Sequence, residues 1–115
     1  MKTRVSTRSR VIRLLLHSRL DRMSAHQLAS CLHMSPSTLR RRLRAENTSY
    51  QALLDAVRQH RCKRELARNW RPGKSIAQDL GFRETNSFYR AFNKWTGKTY
   101  TQYKKQFCNG SVTAL

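Results

Sequence analysis

An internal repeat is the feature that most constrains the fold of this chain. The segment LASCL at 28–32 is matched by IAQDL at 76–80, an offset of 48 residues. A second apolar pair recurs at an offset of 49 residues: Leu39 and Leu43 in the first copy, Phe88 and Phe92 in the second. This spacing predicts two helices joined by a tight turn in each copy, with a small alanine where the helices cross. Each copy is therefore predicted to be a helix-turn-helix unit.

Capping residues indicate where the predicted helices begin and end. Ser24 and Gln27 have the spacing of a capping box, and Ser35-Pro36 is typical of a helix start. Asn47 is expected in the left-handed conformation that ends a helix. The remaining boundaries are predicted from similar signals: a helix break at 70–73, an N-cap at Ser75, a turn at Gly81, a helix stop at Gly97 and an N-cap at Thr99.

These signals predict an all-α fold of about seven helices, in which a long connecting helix joins two helix-turn-helix subdomains. The first helix is expected from Val11 to the region of Leu20. The predicted organisation is a flexible basic lead-in at 1–10, a double helix-turn-helix domain at 11–107 (first subdomain 11–47, connecting helix 49–69, second subdomain 74–107) and a tail at 108–115.

The charge of the chain indicates a polyanionic partner. Its 115 residues carry 24 Lys and Arg against 6 Asp and Glu, a formal net charge of +18. Positive charges at this density repel one another in a compact chain, and a polyanionic partner would neutralise them. Nucleic acid is the first candidate partner and an anionic membrane surface is the second. No stretch approaches the roughly 20 apolar residues of a membrane span, and no signal-peptide core follows the N-terminus. We therefore expect a soluble protein without a membrane partner.

The titratable residues argue against catalysis and metal binding. The three cysteines form no CxxC pair, the four histidines lack ligand spacing, and the six acidic residues are dispersed singly. Asp79 and Glu84 are the closest acidic pair in the sequence, and they fall on opposite sides of the turn at Gly81. We therefore expect no enzyme activity, no metal and no cofactor.

The length of the connecting helix suits two neighbouring turns of DNA. About 20 residues span ~30 Å at 1.5 Å per residue, and successive major-groove faces on one side of B-DNA lie ~34 Å apart. Because the two units differ in sequence, the expected site is asymmetric and about two turns long.

Three runs of the sequence resemble the DNA-binding domain of AraC/XylS-type bacterial transcription regulators: SPSTLRRRL at 35–43, IAQDLGF at 76–82 and SFYRAFNKWTG at 87–97. The resemblance covers roughly 11–105 and implies a bipartite, seven-helix domain that acts mostly as a transcription activator in the bacterial cytoplasm. Asn47 stands where the family often has glycine, and Tyr100 where it usually has proline. The family's usual effector-binding or dimerisation domain is absent from this sequence. We expect a monomer as this chain, and a dimer if such a domain precedes it.

The predicted DNA contacts lie on the second helix of each unit. Positions beside the buried stripe of Leu39 and Leu43 point outward, and arginine there suits bidentate contacts with guanine. The resemblance implies base readout by Ser37, Arg40 and Arg41 in the first unit, and by Thr85, Asn86, Tyr89 and Arg90 in the second. Phosphate contacts are expected from Ser35, Arg44, Lys74, Arg83 and Lys94. Glu84 has two interpretations, as the N-cap of the second recognition helix or as a base contact.

Two further alternatives stay open at this point. A non-specific basic nucleic-acid-binding module explains the charge, although it does not explain two capped repeats. Basic residues of the connecting helix are either solvated or contact DNA or RNA polymerase: Arg58, Arg61, Lys63, Arg64 and Arg68.

Overall fold

A computed structural model describes residues 5–108 of the chain, and every regular element in that range is a helix. The predicted all-α class is therefore confirmed. Residues 1–4 of the expected lead-in (1–10) and residues 109–115 of the expected tail (108–115) lie outside the described residues. The seven helices are α1 Thr7–Leu16, α2 Ala25–Cys31, α3 Pro36–Ala45, α4 Tyr50–Arg68, α5 Gly73–Asp79, α6 Thr85–Thr96 and α7 Tyr100–Cys108.

The chain divides into two compact units, 1–58 and 59–115. In the first unit, α1, α2 and α3 bury an aliphatic core in which Ala29 is fully buried, as expected for a close helix crossing. The second unit buries α5, α6 and α7 around an aromatic core. Its side chains of lowest exposure include Phe88, Phe92, Ile76 and Leu80.

The first helix begins four residues before the expected start at Val11 and ends at Leu16, short of Leu20. Ser6 caps it by accepting a hydrogen bond from the amide of Ser9 at 3.1 Å. The amides of Thr7 and Arg8 donate to the two carboxylate oxygens of Glu46 at 3.1 and 2.9 Å. A carboxylate at a helix N-terminus pairs free amides and interacts favourably with the helix dipole. Glu46, the C-cap residue of α3, therefore links the start of α1 to the end of α3.

The capping predictions are confirmed at three helix starts. Ser24 and Gln27 form the reciprocal capping box of α2. Ser35 accepts from the amide of Thr38 at 3.1 Å and Pro36 is the first residue of α3. Thr99 accepts from the amide of Gln102 at 3.1 Å at the start of α7.

The predicted N-cap at Ser75 is wrong. Helix α5 begins two residues earlier, at Gly73, with Pro72 as N-cap and no side-chain cap. The hydroxyl of Ser75 instead accepts a hydrogen bond from the Arg71 guanidinium at 2.7 Å. The same guanidinium lies 2.5 Å from Asp79, so Arg71 ties the segment before α5 to the end of that helix. The capping prediction considered only the serine nearest the expected helix start, so it could not include the contacts of Arg71.

The turn between the two helices of each unit has the same geometry in both repeats. Met34 donates to the carbonyl of Ala29 at 2.9 Å, and Phe82 donates to the carbonyl of Ala77 at 3.0 Å. The residue before each donor is left-handed, with φ 59° at His33 and 83° at Gly81. The two turns predicted from the repeat thus share an equivalent backbone hydrogen bond and a left-handed residue at the equivalent position.

We expect His33→Gly to stabilise the first unit by up to about 1 kcal/mol. A left-handed conformation costs a residue with a β-carbon roughly 1–2 kcal/mol, part of which is offset by the greater freedom of glycine in the unfolded chain. Urea unfolding should show a higher midpoint at unchanged slope.

Gly97→Ala is the matched control for that prediction. Gly97 ends α6 with φ 74°, and a β-carbon there meets nothing within 4 Å, so the variant measures the same balance of backbone strain and unfolded-chain freedom without a steric clash. It should lower the midpoint. A lower midpoint for His33→Gly would contradict the assigned strain.

Candidate nucleic-acid interface

Helix α3 presents one exposed polar face. Its residues Ser37, Arg40, Arg41 and Arg44 follow i, i+3, i+4, i+7 spacing and all are exposed. Leu39 and Leu43 bury the opposite side, at 3% and 0% exposure. The outward orientation expected from the sequence is therefore present, while the DNA contacts of these residues stay a prediction.

The three consecutive arginines at 40–42 do not all lie on the same side of α3. Arg42 lines a cavity of about 520 Å³ on the α1 side of the unit, together with Val5, Thr7, Arg10 and Glu46. Arg40 lines a different cavity, which it shares with Arg44 and the start of α4. Arg42 therefore lies outside the exposed face formed by Ser37, Arg40, Arg41 and Arg44. It is also not among the predicted DNA contacts.

Helix α6 presents the corresponding face of the second unit, with Asn86, Tyr89 and Arg90 exposed and Thr85 half-buried. The guanidinium of Arg90 donates to the hydroxyl of Ser87 at 3.2 Å, a contact that orients it along its own helix. Glu84 is the N-cap residue of α6, but its side chain makes no capping hydrogen bond.

Tyr89 also has a packing role that the sequence did not reveal. Its ring lies against the backbone of Gly73, where an added β-carbon would stand 2.6 Å from Tyr89 Cε1. Its centroid is 5.7 Å from the rings of both Phe88 and Tyr100, and 37% of the residue stays exposed. Tyr89 therefore joins α6 to the first turn of α5 as well as facing outward.

The predicted phosphate contacts are all exposed. Lys74 is exposed in the first turn of α5, Arg83 in the turn before α6, and Lys94 near the end of α6. Ser35 is exposed, but its hydroxyl is engaged in capping α3 and lies 2.9 Å from the hydroxyl of Thr38. Any phosphate contact from Ser35 would share an oxygen with the cap.

Sequence reasoning missed one residue on the α6 face, the exposed Asn93. It follows Arg90 by three residues and Asn86 by seven, so it continues the same stripe. The offset of 49 residues that relates the two apolar pairs also relates Asn93 to Arg44. The repeat itself carried the signal that identifies it.

The buried titratable groups of the second unit include Cys62 and Tyr100, and the Tyr100 ring lies 5.7 Å from that of Tyr89 on this face. Burial raises the pKa of the Cys62 thiol to about 12, so the thiol stays protonated at neutral pH. Among the side chains that the structure describes, no group of three His, Cys, Asp or Glu residues is arranged to hold a metal ion. No helix among the described residues combines the length and the hydropathy of a membrane-spanning segment.

Two helix-turn-helix units, each with an exposed polar second helix, define a DNA-binding helix-turn-helix protein. Comparison with known families agrees, because the profile of a helix-turn-helix domain family matches residues 28–106. The chain belongs to this family, the AraC-type helix-turn-helix domains.

Curated relatives are bacterial regulators. The ornithine utilization regulator of Pseudomonas aeruginosa is 41% identical over 97 residues, covering 84% of this chain and 29% of its own length. The transcriptional regulator GadX of Escherichia coli is 30% identical over 103 residues, covering 90% of this chain and 38% of its own length. This chain thus spans well under half the length of these relatives.

Solved structures show the same fold. A DNA-binding transcriptional dual regulator from Escherichia coli K-12 superposes with a TM-score of 0.81 at 28% identity, covering 95% of this chain and 98% of that one. The transcriptional regulator CdpR of Pseudomonas aeruginosa has a TM-score of 0.74 at 36% identity, covering 86% of this chain and 31% of its own.

Proposed function

We propose that this chain is the DNA-reading part of a bacterial transcription regulator and binds an asymmetric, two-part site in double-stranded DNA. Helices α3 and α6 enter adjacent major-groove segments, one for each half-site. The observation that carries the proposal is the exposed polar face on the second helix of both units, behind turns of the same geometry.

The residues on these faces suit base recognition. Arg40 and Arg41 carry guanidinium forks that match guanine O6 and N7, and Asn86 carries an amide that matches adenine N6 and N7. The faces of α3 and α6 have different side chains, so the two half-sites differ in sequence. The remaining base contacts of the proposal are Ser37, Thr85, Tyr89 and Arg90, and its phosphate contacts are Ser35, Arg44, Lys74, Arg83 and Lys94.

Binding of this kind serves transcription activation in the bacterial cytoplasm, without catalysis. The raised pKa of Cys62 argues against this thiol as a nucleophile, since a reactive cysteine needs thiolate character. RNA polymerase is the proposed protein partner. The chain itself is proposed to act as a monomer, and to dimerise through a further domain where one is present.

The net charge of +18 favours a second candidate, a non-specific basic nucleic-acid-binding module. Its affinity would come from released counterions, and any duplex would serve equally well. The two candidates differ in whether the exposed faces of α3 and α6 select sequence.

Selection from random duplex DNA at near-physiological salt, followed by sequencing, tests the proposal. We expect enrichment of two dissimilar half-sites whose centres lie about 10.5 base pairs apart. A variant with Arg40→Lys and Arg41→Lys is the matched control, because it keeps the charge and loses the bidentate forks. It should lose preference in one half-site. Enrichment of no sequence by the unmodified chain would establish the non-specific module.

A further inference from the structure

Each unit has a cavity between its recognition helix and the start of the helix that follows, and corresponding residues line the two cavities. In the first unit the cavity is about 420 Å³ and includes Arg40, Arg44 and the residues 48–51. In the second it is about 550 Å³ and includes Tyr89, Asn93 and the residues 99–101. Arg44 and Asn93 are each the ninth residue of their helix.

The place of these two residues favours the DNA backbone over the bases. In a helix-turn-helix unit the N-terminal residues of the second helix contact base edges. Asn93 lies seven residues beyond Asn86, about 10 Å further along the helix axis. Arginine and asparagine side chains both donate hydrogen bonds to phosphate oxygens.

We infer that Asn93 contacts a DNA phosphate in the second half-site, at the place that Arg44 occupies in the first. This inference rests on the proposed function and adds to it a residue and an asymmetry. The first unit makes the contact with a charged side chain, and the second makes it with a neutral one. Only the first contact therefore contributes to the dependence of affinity on salt.

The test exchanges the two side chains separately, in Asn93→Arg and Arg44→Asn, and measures affinity for the selected site from 50 to 200 mM salt. One charged phosphate contact changes the slope of log K against log salt by about 0.9. Asn93→Arg should steepen the slope by that amount. The ratio of its affinity to that of the unmodified chain should therefore fall about 3.5-fold from 50 to 200 mM salt. Arg44→Asn should flatten the slope equally, and base preference should change in neither variant.

Ala45→Arg, at an exposed position that lines the cavity on the α1 side of the first unit, is the control with the same change in charge. Its slope should stay near that of the unmodified chain, and an equal steepening would overturn the inference in favour of net charge. An unchanged slope in Asn93→Arg, or a preference altered at one base pair, would also overturn it. These failures leave sequence selection by the unmodified chain intact, whereas failure of the proposed function removes the selected site itself.

Discussion

Replacing Phe88 with alanine should destabilise the second unit by about 3–5 kcal/mol, the usual cost of removing a buried phenyl ring. Phe88 is fully buried. Its ring centroid lies 5.4 to 5.8 Å from four other rings, those of Phe82, Tyr89, Phe92 and Tyr100. Because α6 is held through this cluster, the variant should also lose the second half-site.

Amide hydrogen exchange resolved along the chain measures the effect. Protection should fall in α5, α6 and α7 and persist in α1, α2 and α3. Leu39→Ala is the matched variant, since Leu39 corresponds to Phe88 in the repeat and is 3% exposed. It should show the reverse distribution. Equal loss of protection in both units for either variant would show that they unfold as one cooperative body.

Arg40→Ala and Arg41→Ala should each relax base preference at one end of the DNA site by about 1–3 kcal/mol, or 5- to 150-fold. Each variant loses the bidentate contact with guanine that discriminates against the other bases. Competition binding with duplexes altered one base pair at a time measures the change for each variant.

Arg42→Ala is the closest control, because it removes the same side chain from the same helix on the side facing α1. It should leave base preference unchanged. Lys94→Ala should weaken binding to all duplexes alike, as expected for a phosphate contact. Uniform weakening by Arg40→Ala and Arg41→Ala, together with altered preference in Lys94→Ala, would reverse the assignment.

The parts of the fold that depend on local chemistry were predictable from the sequence. Helix α3 runs from Pro36 to Ala45 as predicted, because its cap, its first proline and its apolar stripe lie within ten residues. Asn47 adopts the left-handed conformation expected of it, with φ 61°. The repeat likewise predicted the two turns, since equivalent residues make equivalent hydrogen bonds.

The parts that depend on distant residues were not predictable. Tyr100, where the resembled family usually has proline, donates through its hydroxyl to the carbonyl of Arg71 at 2.5 Å, across 29 residues of sequence. The family resemblance assigns Tyr89 to base readout, whereas its contact with Gly73 emerges only when α5 and α6 pack. Periodicity places a side chain on a face, but it does not show what that face meets.

The carboxylate of Glu46 has a practical consequence for anyone who dissects this protein into fragments. Periodicity suggests Val11 as a natural starting point, but a fragment cut there loses the cap residue Ser6 and the buried Thr7. It also removes both amides that Glu46 accepts from. A shortened fragment would then lose DNA affinity through a poorly anchored α3, and the loss would be mistaken for evidence that the first ten residues touch DNA.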